Sequence, residues 1–127
     1  MDESRRAANL RVAIGLVHAG LPILPARVAR NPRSGLWTKK PCIAGWKEFA
    51  ITDENNVRAH WKKYPDAVPG IVLGLAELVV VDADRHGGPD GVQALHELID
   101  RLGLPDGVVR TLTPGGGEHY YFRNLAQ

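Results

Sequence analysis

Apolar residues recur at Leu10, Ile14, Val17 and Leu21 after a polar start. That spacing predicts an amphipathic helix from about Glu3 to Ala19, stopped by Gly20. "LPILPA" then reads as a short strand, and "RVARNPRSGLWTKKP" as a long basic loop, since its prolines and charges argue against regular structure. A loop of that length is a candidate for function. Thr52 or Asp53 can cap a second helix that carries Val57, Trp61 and Tyr64 on one face, with Pro65 just past its end. The apolar runs "GIVLG" and "ELVVVDAD" follow closely enough to pair as adjacent strands. A third helix is expected from about Asp90 to Leu102, with Val92, Leu95, Ile99 and Leu102 toward the core and Gly103 at its end. Finally, "VVRTLT" and "HYYFR" flank "PGGGE", a glycine-rich turn that suits a hairpin. The sum predicts an α+β domain with a mostly antiparallel sheet and helices packed against it.

The length of 127 residues suits a single domain spanning 1–127, and 44% hydrophobic with 24% charged residues is a globular balance. The lone Cys42 cannot form an internal disulfide, so a cytoplasmic setting is expected. Charges and prolines interrupt the segment from Leu10 to Pro25, which excludes a signal peptide or membrane span there. The net charge of +2 conceals an asymmetry: residues 1–47 hold 9 Lys or Arg against 2 acids, and the remainder 7 against 12. The N-terminal third is thus a candidate anion-binding surface, with a solvated basic face as the plainer alternative.

The chemistry concentrates in "VVVDADRHGG". Side chains alternate along a strand, so Asp82 and Asp84 share a face if the strand reaches that far. Two carboxylates there repel unless a cation lies between them. Mg²⁺ or Mn²⁺ suits such a pair, because Mg²⁺ takes one or two carboxylates and fills its shell with water and substrate phosphates. The alternative is a strand end whose aspartates cap a turn. His86, next in line, is a weaker third ligand than a turn residue facing water. In "HYYFR", His119 and Tyr121 share one face while Tyr120 and Phe122 share the other, and one of these faces must be core. On the aspartate side, His119 would reach a metal-bound phosphate. Lys39 and Lys40 are candidate phosphate contacts, and Arg27, Arg30 and Arg33 candidate contacts to a nucleic-acid backbone. Trp46 is either core or a stacking surface, core being the usual state.

In order and spacing, "AGLPILPAR", "KKPCIAGWKEFAITDENNVRAHWKKYPDAVPGIVLG", "LVVVDADRHGG" and "RTLTPGGGEHYYFR" resemble the bifunctional DNA primase/polymerase (prim-pol) N-terminal domain of the archaeo-eukaryotic primase superfamily. The resemblance implies an RRM-like sheet, with Asp82 and Asp84 as metal ligands and His119 as the contact to the incoming nucleotide's phosphates. It implies two-metal, template-directed nucleotidyl transfer on single-stranded DNA, and a helicase as a frequent partner. The family's third acidic motif, which lies well beyond the histidine, has no counterpart up to Gln127, so the domain reads as incomplete at the C terminus. An open sheet edge would follow, and with it self-association. Two readings stay open: a DNA primase/polymerase-type enzyme, or an inactive remnant that binds nucleotide or nucleic acid. An aspartate-nucleophile phosphatase ranks last, because His86 stands where those enzymes carry Thr.

Overall fold

The computed structural model describes residues 1–85 and 88–123. Among the described residues it is an α+β protein with four α-helices and two three-stranded antiparallel sheets, and the chain falls in two compact units, Met1–Ala76 and Glu77–Gln127.

In the first unit, helix α1 (Glu3–His18) starts where the Asp2 carboxylate accepts the Arg5 N–H at 2.9 Å, and the chain reverses through Gly20 at φ +83°. Strand β1 (Ile23–Arg30) lies between β2 (Trp37–Pro41) and β3 (Val68–Ile71). Helix α2 (Glu54–Lys63) is capped by Asp53, as expected, through the Asn56 N–H. Ala13 and Val17 of α1, Ile23, Ile51, Val57 and Trp61 of α2, and Ala67 form the buried core. A single turn of 3-10 helix (Trp46–Glu48) leaves Trp46 44% exposed beside Lys47, so this tryptophan is not core.

Two expectations are corrected here. The basic stretch after "LPILPA" is a hairpin rather than a loop: Arg27 to Arg30 pair with Lys40 to Trp37. Its prolines fall where they do little harm to the ladder, Pro32 in the turn and Pro41 at the last residue of β2. The two later apolar runs also do not pair with each other. Residues Val68–Ile71 take the free edge of β1, and helix α3 (Leu73–Ala76) intervenes before β4 (Leu78–Ala83), whose partner is β6 (Glu118–Arg123). Glu77, between α3 and β4, has φ +55°. A continuous apolar run specifies burial, not which edge a strand joins.

In the second unit the strand order is β4-β6-β5, with β5 (Val109–Leu112) and β6 forming the expected hairpin. Helix α4 (Gly91–Leu102) is capped by Asp90 and buries Val92. Leu102, predicted to face the core, is 72% exposed: the helix ends there, with Gly103 at φ +77° donating its N–H to the Ile99 carbonyl. Helical periodicity marks a face, but not how far the covering surface extends along it.

Candidate functional site

Strands β4 and β6 pair antiparallel with Asp82 opposite His119 and Ala83 opposite Glu118. Directly opposed residues project to the same side of a sheet, so this register alone puts Asp82 and the His119 ring together. The His119 Nε2 lies 3.2 Å from Asp82 Oδ1, the carboxylate half exposed and the ring one-quarter exposed. Thr111 of β5 stands opposite His119 from the other side, and its hydroxyl lies 3.3 Å from the Tyr121 hydroxyl. The Tyr121 ring packs edge-on against the His119 ring with centroids 6.3 Å apart. One face of this sheet therefore carries Asp82, His119, Thr111 and Tyr121.

Asp84 lies one residue past the end of β4, so strand alternation does not by itself orient it. Backbone contacts hold the segment: Gly91 donates its N–H to the Asp84 carbonyl at 2.9 Å. The approach is close enough that a Cβ at Gly91 would lie 2.8 Å from that carbonyl oxygen. Gly117 is more constrained. A Cβ there would lie 2.5 Å from the Ala83 carbonyl and 3.4 Å from Asp84 Oδ1, so the Asp84 carboxylate sits beside the hairpin turn, two positions before His119. Arg85 donates to Asp90 at 3.2 Å, closing the short connection into α4. The Gln93 N–H, and after it Arg85, hold the Asp90 carboxyl below its ordinary range against the opposing effect of burial.

The opposite face is built on Glu118, which the sequence reading did not single out. Glu118 is 5% exposed, and its carboxylate accepts from Tyr120 Oη and Arg110 Nη1, both at 3.1 Å, while His96 Nε2 of α4 contacts the same group. Tyr120 is buried here, which makes the Tyr120 side the core face and leaves His119 on the open one. Burial pushes the Glu118 carboxyl up, but the bonds from His96 and Tyr120 and the charges of His96 and Arg110 outweigh it and hold the group below its ordinary range. A lowered carboxyl stabilises the fold fully above the unfolded value and stops doing so as pH falls through the folded value. Glu118→Gln should therefore melt below the wild type at pH 7, with the gap closing below about pH 4. Circular dichroism melts across that range check this, and a gap independent of pH would count against the ion-paired carboxylate.

Lys39 and Lys40 are exposed on β2, opposite Val28 and Arg27. As neighbours on a strand they project to opposite faces. His86 lies outside the described residues. Among the described residues no group of three or more His, Cys, Asp or Glu is gathered to hold a metal ion, so Asp84 does not join Asp82 and His119 in one such cluster. The donor set still fits Mg²⁺ or Mn²⁺, which take one or two hard carboxylates and leave most of the shell to water and phosphate. Among the described residues no helix is long and apolar enough to cross a membrane.

Residues 13–126 match the Prim-Pol family, described as bifunctional DNA primase/polymerase, N-terminal. No curated protein and no solved structure matches the chain.

Proposed function

Because the chain belongs to the bifunctional DNA primase/polymerase N-terminal (Prim-Pol) family, we propose that it carries out metal-dependent, template-directed nucleotidyl transfer through Asp82, Asp84 and His119. Membership implies a DNA primase/polymerase-type function and binding of nucleotide and DNA. The observation that carries the finer reading is the pairing of Asp82 with His119, 3.2 Å apart on the open face of the sheet.

In this reading Asp82 and Asp84 hold Mg²⁺ or Mn²⁺. Such an ion, when bound, lowers the pKa of an attacking hydroxyl and neutralises charge on the phosphates. Asp82 contributes an exposed carboxylate oxygen. His119 offers Nε2 to a phosphate oxygen, and the edge-on Tyr121 ring limits how far the imidazole can turn. Gly91 and Gly117 keep the Asp84 segment close to the hairpin, so the second carboxylate is carried by clamped backbone.

A second reading is supported by the absence of a three-ligand cluster among the described residues: a module that binds nucleotide without extending a primer. Primer extension and primer synthesis on single-stranded DNA with Mg²⁺ or Mn²⁺, run beside nucleotide-binding titrations, separate the two. Extension abolished by a chelator supports the enzyme. Metal-dependent nucleotide binding without extension supports the binding module, and no binding in either metal rejects both.

A further inference from the structure

From the charge and geometry of the β1–β2 hairpin we infer that it is an arm that binds single-stranded nucleic acid along its length, with Arg30 and Trp37 as a stacking platform. The first observation is the way the ribbon leaves the sheet. Strand β3 pairs only with Ile23 to Ala26, so Arg27 to Arg30 are bonded to β2 alone, as a two-stranded extension whose cations and tip are exposed. Such a ribbon gains little from burial and is marginal by itself.

The second is charge. Arg27, Arg30, Arg33, Lys39 and Lys40 all lie on this hairpin, and no Asp or Glu occurs anywhere from residue 4 to residue 47. Among the described residues none of these five forms a salt bridge. Five unneutralised cations on one ribbon repel each other, and a polyanion relieves that repulsion while releasing its own counterions.

The third observation selects the kind of polyanion. Arg30 is fixed rather than free: its Nε donates to the Gly35 carbonyl at 3.0 Å, and its guanidinium lies 6.0 Å from the centroid of the Trp37 ring, which is 41% exposed. The turn that holds it is itself bonded, Asn31 Oδ1 accepting the N–H of Arg33 at 2.8 Å and of Ser34 at 3.3 Å. A flat aromatic and guanidinium surface beside backbone-neutralising cations is what unpaired bases require, whereas a duplex hides its base faces. Register assigns the rest. Arg30, Trp37, Val28 and Lys39 share one face, and Arg27, Lys40, Ala29 and Thr38 the other. Charge therefore stands on both faces, which leaves neither apolar face for a lipid bilayer to bury. In this arrangement Lys39 contacts a phosphate of a strand that follows the Arg30 and Trp37 face, and Arg27 with Lys40 carries charge on the other.

The choice of DNA as the polyanion rests on the function proposed above, but the test does not depend on that function. Anisotropy of a fluorescein-labelled 20-nucleotide oligo(dT) is titrated with the full chain in EDTA. Variants are Arg30→Glu with Lys39→Glu, Trp37→Ala and Trp37→Phe, each checked by circular dichroism. The double charge reversal should weaken binding at least about tenfold and reduce the slope of log affinity against log salt by about 0.7 or more, from the lost Lys39 phosphate contact. Trp37→Ala should weaken it about five- to a hundredfold and Trp37→Phe much less, as loss of one stacked base predicts. If these variants weaken binding as expected while the wild type extends no primer in any metal, the ribbon inference stands and the catalytic one falls. Folded charge-reversed protein that binds oligo(dT) unchanged overturns the ribbon inference. So does ribbon-dependent binding to phosphatidylserine vesicles that exceeds binding to the oligonucleotide, or tighter binding of a blunt duplex of the same length.

Discussion

Asp82→Ala is expected to lower primer extension by at least about 100-fold, the scale on which losing one group that stabilises developing charge is felt. Asp82 is the carboxylate best placed for this role: it lies in the paired part of β4, stands opposite His119 and keeps about half its surface open. The same exposure makes the substitution structurally mild. An exposed side chain with one 3.2 Å contact contributes little to folding, and the change in stability should stay within about 0.5 kcal/mol. Activity and melting temperature should therefore separate, the first collapsing and the second holding. Asp82→Asn keeps the shape and removes the charge, so it should fail to nearly the same extent. His119→Ala should also reduce extension, acting on nucleotide affinity as well as turnover. Equal extension by Asp82→Ala and wild type, in Mg²⁺ and in Mn²⁺, would remove Asp82 from the chemistry.

Trp61→Ala should have the largest effect on folding, about 3–5 kcal/mol. Trp61 is 5% exposed in a core with Val57 of its own helix, Ala13 and Val17 of α1, Ile23 of β1 and Ile51. Its indole N–H donates to the Ala67 carbonyl at 3.1 Å, tying α2 to the segment that enters β3. Alanine leaves a cavity among residues drawn from five parts of the chain and an unpaired carbonyl at Ala67. Total stabilities of about 5–15 kcal/mol leave little after such a loss. Urea titrations followed by circular dichroism should show the midpoint falling sharply. Trp61→Phe fills most of the space but lacks the donor, and should lie between alanine and wild type. A midpoint unchanged by Trp61→Ala would mean that this core does not hold the unit together.

Much of this was legible in the residues. The cap at Asp53, the stop at Gly20 and the hairpin around "PGGGE" follow from local chemistry that acts within a few residues, and the structure has them. The face shared by His119 and Tyr121 was legible too, because alternation along a strand is a property of the backbone. The basic ribbon was misread because prolines and charges lower strand propensity on average. Pro32 and Pro41, however, fall in the turn and at the last residue of β2, positions the pairing tolerates.

Local chemistry thus specified most of the elements, the Asp53 cap and the two motifs that hold Asp82 with Asp84 and, separately, His119, since each depends on neighbours close in the chain. Strand partners and register came only with the folded chain: β3 beside β1, β4 beside β6, and Asp82 facing His119 across 37 positions of sequence. The role of Glu118 belongs to the same class. In the sequence it is one acid after three glycines; in the fold it is buried with His96, Arg110 and Tyr120, beneath the sheet whose other face carries His119. Pairing between distant strands is decided by which buried faces fit together, and that fit is a property of surfaces that exist only after the chain has folded.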